Sequence, residues 1–320
     1  MSVESFLQSW FDTVTKLDVG GMRGQKFVCQ TIGGEKLFIK ARQKEEWGWF
    51  NWGLKKEHKV CEDVNTKISY VPNSPVLFET NTHTIVGYEY TEHNSDLDIY
   101  DLYTDTTALT NIIEDLNELL VWLYENSHSV GMNITNMRNR EHVSGNGFES
   151  MKSYIFNDRL QDGVYFNDDF YDEYIDNLEK TCDLLQDRYN MNRERFVHGD
   201  LSNSHNVLYD ENGVNSVVDW ELSGWFDYLY DVAFVEATFI DLPCAFNDNI
   251  TASELRKILY ENLNITVNKK QSLDLYKVWP HYMGLESVSM CDEIPHSNVN
   301  IENEFRRRKT VLDLILGKYM

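Results

Sequence analysis

At 320 residues the chain is long enough for one large domain or two modest ones, so it needs no disulfide or metal staple to hold a core. Hydrophobic residues at 42% and charged residues at 25% exclude a disordered or fibrous chain. With 52 Asp plus Glu against 29 Lys plus Arg, the formal charge is −23; this argues against nucleic acid as a partner, because phosphate backbones are gripped by Lys and Arg.

Val3, Phe6, Leu7, Trp10, Phe11 and Val14 recur at helical spacing and predict an opening amphipathic helix. A Gly-rich segment, Gly20-Gly21-Met22-Arg23-Gly24, then leads into the strand Lys26–Gln30. Gly33-Gly34 reads as a hairpin turn, and Lys36–Lys40 returns as a second strand. Residues 42 to 64 suit a helix that starts after a loop containing Gly48 and Gly53. Val71-Pro72-Asn73-Ser74-Pro75 punctuates, and strands follow at Val76–Glu79 and Thr84–Tyr90. Leu109, Ile112, Ile113, Leu116, Leu120 and Leu123 form an apolar stripe at 3.6 spacing, the clearest helix in the chain. Residues 133 to 149 read as loop, and 150 to 191 as helices with an acidic face. Asn206–Tyr209 and Val214–Trp220 read as strands around a turn at Asp210-Glu211-Asn212-Gly213. From about residue 229 the chain reads as helical, including Leu273–Met290, kinked at Pro280, and Ile301–Leu316.

Five scattered cysteines, odd in number and without a C-x-x-C pair, suggest reduced thiols, neither a disulfide frame nor a zinc knuckle. The first residues lack a basic stretch before an apolar run, and no apolar run approaches the ~20 residues that span a bilayer, so a cytoplasmic protein without a membrane partner is expected. The acidity fits either a solvated surface, of the kind suited to high salt, or a site for a cationic substrate.

The chemistry concentrates in Phe196-Val197-His198-Gly199-Asp200, followed by Asn206-Val207-Leu208-Tyr209 and Val217-Val218-Asp219-Trp220. Phosphoryl transfer from ATP needs a group that orients the acceptor hydroxyl and takes its proton, and oxygen ligands that hold Mg²⁺ against the phosphates. Asp200 in a tight loop suits the first role. Asn206 and Asp219, brought together by the strand pair, suit the second. Each short motif alone reads as an ordinary turn or strand end; their order and the hairpin between them favour catalysis.

The run Asp219-Trp220-Glu221-Leu222-Ser223-Gly224, then Asp227, then Asp231-Val232-Ala233 resembles the D-W-E-x-x-G-x-x-D-x-x-x-D-[LV]-A stretch of the aminoglycoside phosphotransferases and related small-molecule kinases. The resemblance extends from about residue 19 to 236. It implies an α+β, two-lobed protein-kinase-like fold. Residues 1–91 would form a small antiparallel N-lobe with the Gly-rich loop, and residues 92–320 a mainly helical C-lobe with the catalytic loop. It implies ATP and Mg²⁺, with Lys40 on the phosphates, Glu57 as its helix partner, Gly20, Gly21 and Gly24 in the phosphate loop, and Glu89 and Tyr90 in the nucleobase hinge. His198 and Asp231 would support the loop. Lys40 and Glu57 have a bland reading as solvated surface charges, and Glu45, Glu46 and Glu62 are rival partners for Lys40; the Gly-rich segment could be a plain turn.

One departure stands out. The family places the metal-binding Asn five positions after the catalytic Asp, where this chain has His205; a one-residue bulge over Leu201–Ser204 would restore Asn206, whose amide oxygen suits Mg²⁺ better than an imidazole does. The expected activity is transfer of the γ-phosphoryl group to a hydroxyl of a small cationic molecule. Asp96, Asp98, Asp101 and Asp105, and the acidic run Asp168, Asp169, Asp172, Glu173 and Asp176, are candidates to draw it in; both stretches read equally as solvated faces, which is the favoured reading for the second. The helix around Tyr282, Met283, Gly284 and Leu285 is similar to the hygromycin-type branch. A nucleotide-binding pseudokinase is the alternative; a protein kinase fits less well, since D-W-E replaces D-F-G and no A-P-E segment follows.

Overall fold

The computed structural model describes residues 2–17, 24–44, 48–91, 102, 104–131, 180–181, 184, 194–201, 206–289 and 301–318. The stretch expected as loop at 133–149, and nearly all of the acidic helices expected at 150–191, lie outside these residues. Among the described residues, no helix is long and apolar enough to cross a membrane.

The chain opens with helix α1 (Val3–Leu7), where the Ser2 hydroxyl accepts a hydrogen bond from the Ser5 N–H at 3.1 Å. The longer helix expected through Val14 is a correction: α1 ends at Leu7, and Thr13–Leu17 forms strand β1. The apolar spacing there serves a different purpose. Phe6 and Trp10 close over Phe78 at ring separations of 5.9 and 5.3 Å, while the β-branched run Thr13-Val14-Thr15 favours extended backbone.

Strands β2 (Gln25–Gln30) and β3 (Lys36–Gln43) form the expected hairpin, followed by helix α2 (Gly48–Asn65), β4 (Val76–Glu79) and β5 (His83–Glu89). The sheet is antiparallel in the order β1-β2-β3-β5-β4. Helix α2 begins earlier than expected, so Gly53 is inside the helix and not in a preceding loop. An interior glycine costs about 1 kcal/mol against alanine, and complete burial of Leu54, Val60, Cys61 and Val64 offsets it.

The two faces of the sheet have different cores. Phe27, Cys29, Leu37, Ile39, Ala41 and Ile85 pack under Val3 and Leu7 of α1. The intervening residues face α2 and the helices, with Val86 and Tyr88 joining the larger core. This period-2 alternation turns Lys40 and Arg42 toward the rest of the molecule.

Helix α3 (Thr106–Gly131) carries the expected stripe, with Leu109, Ile112, Ile113 and Leu116 fully buried. Asp105 begins it, its carboxylate accepting from the N–H groups of Thr107 and Ala108 at 2.9 and 3.1 Å in a capping role. Strands β6 (Glu194–Val197), β7 (Val207–Asp210), β8 (Gly213–Val217) and β9 (Gly224–Asp227) form two small antiparallel pairs, β7 with β8 and β6 with β9, and a 3₁₀ turn (Trp220–Leu222) precedes β9. Gly213 (φ +138°) is required at the β7–β8 turn: a Cβ there would collide with the Asp115 carboxylate, which accepts from the Val214 N–H at 2.8 Å.

Helix α4 (Leu229–Glu236), a π-helical turn (Ala237–Asp241) and helix α5 (Leu242–Phe246) follow one another without a break, and residues 229 to 243 are all buried. Around this central rod pack α6 (Ala252–Leu259), α7 (Val267–Ser289) and α8 (Ile301–Leu316). Helix α7 is continuous through Pro280, and α8 matches its expected bounds.

Candidate active site

Three charged groups from distant parts of the chain meet behind the sheet. The Lys40 Nζ donates to Glu57 Oε1 at 2.9 Å and to Asp219 Oδ1 at 3.1 Å, and lies 5.6 Å from the centre of the Tyr88 ring. Lys40 is 8% exposed and Glu57 1%, so neither is a solvated surface charge. Burial alone would favour the neutral amine, but Asp219, Glu57 and Glu221 raise the pKa of Lys40 above its ordinary value and keep it charged. Burial likewise resists the charge on Asp219, and Lys40 and Arg42 overcome it, leaving that carboxyl below its usual value. Of the rival partners, Glu62 faces His58 and Lys59 on its own helix; Glu45 and Glu46 lie outside the described residues.

A second pair runs in step with the first. Arg42, two residues along β3, meets Glu221, two residues past Asp219, at 2.6 Å. Lys56, adjacent to Glu57, donates to the carbonyl of Ser223. Sequence reasoning missed Arg42 and Lys56 as part of this cluster. The alternation of β3 could have found Arg42; nothing in the pattern of α2 singles out Lys56.

The loop after β6 is held from below. Asp231, buried in α4, accepts from the N–H groups of His198 at 2.6 Å and Gly199 at 2.9 Å. The His198 Nδ1 accepts from the Asp200 N–H at 3.2 Å, and its Nε2 stands 3.0 Å from the Val218 carbonyl, an arrangement that fits a neutral ring protonated on Nε2. The ring also packs on Trp220 at 4.4 Å. Asn206 Nδ2 donates to the Asp200 carbonyl at 2.8 Å, so the backbone of Asp200 is fixed on both sides of a half-buried side chain. His198 and Asp231 thus both bond to the backbone of the loop that carries Asp200.

Burial lowers the pKa of His198 to about 4. The unfolded chain therefore binds more protons than the folded one between pH 4 and the ordinary value of 6.5, and the associated stability is complete above pH 6.5 and lost as pH falls through 4. A gap of this size corresponds to about 3 kcal/mol. Asp231, raised to about 7 by burial, has the opposite slope throughout this range, so comparison with a variant isolates the histidine. Urea unfolding between pH 7 and 4 should show the wild type losing about 3 kcal/mol more than His198→Gln; parallel curves would contradict this account.

Asp219 occupies the left-handed region (φ 65°, ψ 53°), which Asp tolerates better than most residues. The turn lifts its carboxylate off the end of β8, while Val218 N–H donates to the Asn206 carbonyl at 2.8 Å and holds the two segments together. Because the amide nitrogen of Asn206 serves the loop, its oxygen is the group suited to a cation. One amide and one carboxylate oxygen are a donor set that suits Mg²⁺, which takes few protein ligands. His205 lies outside the described residues.

Gly20 and Gly21 also lie outside them. Gly24 is described: at φ +99°, an added Cβ would stand 2.7 Å from the Ala41 carbonyl, so this position excludes a side chain. At the expected hinge, the Glu89 N–H donates to Asn73 O at 3.0 Å and the Tyr90 N–H to Lys36 O at 3.1 Å. Both N–H groups thus serve the sheet and its neighbours. Asp96, Asp98, Asp101 and the run Asp168–Asp176 are outside the described residues.

The family model described as "Phosphotransferase enzyme family" matches residues 154–263, a span that contains Asp200, Asn206, Asp219 and Asp231. No curated protein matches the chain in sequence. Solved structures similar to it include an ethanolamine kinase from Plasmodium vivax (15% identity, 96% of this chain and 85% of that one, TM-score 0.57). An amicoumacin kinase in complex with AMP-PNP, Ca²⁺ and Ami is also similar (11%, 98% and 94%, 0.56). So is a macrolide 2′-phosphotransferase from Brachybacterium faecium (10%, 98% and 98%, 0.54). At these identities the likeness establishes the fold, the two-lobed protein-kinase-like architecture of small-molecule kinases.

Proposed function

From a protein-kinase-like fold whose residues 154–263 match the phosphotransferase enzyme family, we propose that this protein transfers the γ-phosphoryl group of ATP to a hydroxyl of a small, cationic molecule. The observation that carries the proposal is Lys40, bonded at once to Glu57, 17 positions away, and to Asp219, 179 positions away. A fold that merely needed packing would not bury this charge at the junction of the sheet and the catalytic loop, since buried ion pairs contribute little net stability.

In this reading residues 1–91 form the nucleotide lobe and 92–320 the lobe that receives the acceptor. Lys40, fixed by Glu57, binds the phosphates, and the chain around Gly24 lies close to them; Glu89 and Tyr90 mark where the nucleobase sits. Asn206 and Asp219 hold Mg²⁺, which offsets phosphate charge when bound. Asp200 orients the acceptor hydroxyl and accepts its proton as its oxygen bonds to phosphorus and the bond to the ADP oxygen breaks. Phosphoryl transfer of this kind depends on positioning and electrostatics, and the backbone anchors on either side of Asp200 supply the first.

A cationic acceptor is favoured by the charge of −23, which concentrates amines near the surface. The test is ATP consumption by the purified protein against aminoglycosides, hygromycin B, amino alcohols and neutral sugars, at low and molar KCl. Turnover that depends on an amine-bearing acceptor is the expected result. Turnover with neutral sugars alone would overturn the acceptor class, and bound nucleotide with no turnover in any condition would favour the pseudokinase reading.

A further inference from the structure

The π-helical turn after α4 has an unusual electrostatic effect. Its i→i+5 winding sets Glu236 and Asp241 toward the same cations. Lys277 of α7 lies 2.6 Å from Glu236, 2.9 Å from Asp241 and 3.4 Å from Asp274; Arg256 of α6 lies 2.8 Å from Glu236 and 2.6 Å from Asp241. Lys277 and Glu236 are almost wholly buried. Glu236, Arg256, Asp274 and Lys277 line a cavity of about 560 Å³ between α6, α7 and Lys318, with Asp241 behind them, a size typical of small-molecule sites.

The rim carries further cations. Lys257 and Lys270 line the cavity with Lys318, and Lys270 stands 5.5 Å from the ring of Tyr260. Lys318 meets Asp274 at 3.3 Å, whereas among the described residues Lys257 and Lys270 form no ion pair within 4.0 Å. Even with Asp241 counted, five basic side chains face three carboxylates. In a chain with 52 acidic and 29 basic residues, this is a local reversal of sign. The carboxylates are already neutralised by Lys277 and Arg256, so the excess positive charge falls on the open side of the cavity.

We propose that this cavity binds a small polyvalent anion, bearing phosphate or several carboxylates, at a site separate from the one built by Lys40 and Asp200. None of the cavity's lining residues belongs to that cluster. A concave wall with several cations near one another holds a polyvalent anion more strongly than isolated surface lysines do, because the charges act on one ligand at short range.

Isothermal titration of the full chain in EDTA, with pyrophosphate and separately with citrate, tests the proposal. Wild type and Lys40→Ala should bind one equivalent of at least one probe with similar affinity, and Lys257→Glu/Lys270→Glu should bind it at least ten-fold more weakly. Preference for pyrophosphate identifies a phosphate-bearing ligand; preference for citrate identifies a polycarboxylate. Lys257→Gln/Lys270→Gln, which adds no new charge, should weaken binding several-fold and serves if the Glu variant does not melt cooperatively. No binding to Lys40→Ala, or unchanged affinity in the rim variants, would overturn the proposal. Since Lys40→Ala disables the nucleotide site, failure of the kinase reading leaves this result interpretable.

Discussion

Asp200→Asn is expected to reduce acceptor-dependent ATP turnover by roughly 10²- to 10⁴-fold, the range contributed by a positioned general base. Affinity for Mg-ATP should stay within a few-fold of wild type. The separation follows from how Asp200 is held. Its N–H is bonded to His198 and its carbonyl to Asn206, so both anchors survive when the carboxylate becomes an amide. The loop beneath is fixed independently by Asp231. The measurement is steady-state turnover beside nucleotide titration on the same preparation. A variant that keeps more than a tenth of wild-type turnover would remove Asp200 from the chemistry.

Asp219→Asn should act on a different quantity. The substitution keeps a residue that tolerates the left-handed backbone but takes away the charge beside Lys40. Metal-dependent nucleotide affinity should fall by more than the roughly 10- to 100-fold that loss of a mere outer partner of a metal ligand costs, and turnover should be lost with it. Nucleotide affinity in EDTA should change much less, since Lys40 keeps Glu57 at 2.9 Å. Titration of ADP with and without Mg²⁺ distinguishes the two. Equal loss in both conditions would mean that Asp219 acts only through Lys40.

The parts of the site legible in the sequence were those encoded locally. The strand-turn-strand around Asp210–Gly213 placed Asn206 and Asp219 side by side, because hairpin chemistry is written in a few adjacent residues. The alternation of β3 likewise carried Lys40 to the correct face. What was hidden depends on distant packing. The opening helix was overread because Phe6 and Trp10 satisfy a partner, Phe78, that lies far along the chain. Arg42 and Lys56 were missed because their acceptors, Glu221 and the Ser223 carbonyl, become neighbours only after the sheet docks. The pairing of β6 with β9 could not be read either, since residues 198–223 separate the two strands and neither is longer than four residues. Asp105 shows a role the charge pattern did not reveal: its carboxylate caps a helix.

The stepwise match of Lys40 and Arg42 with Asp219 and Glu221 also bears on how the chain avoids misassembly. If β3 slipped by one residue against its neighbours, Ile39 and Ala41 would turn toward the two carboxylates while Lys40 and Arg42 entered the apolar layer beneath α1. That arrangement would take Lys40 and Arg42 away from Glu57, Asp219 and Glu221, leaving five charges without these partners, a far heavier penalty than the modest stability the correct pairs confer. The same side chains that assemble the candidate catalytic centre therefore also favour one strand register over its neighbours, because only that register pairs these charges.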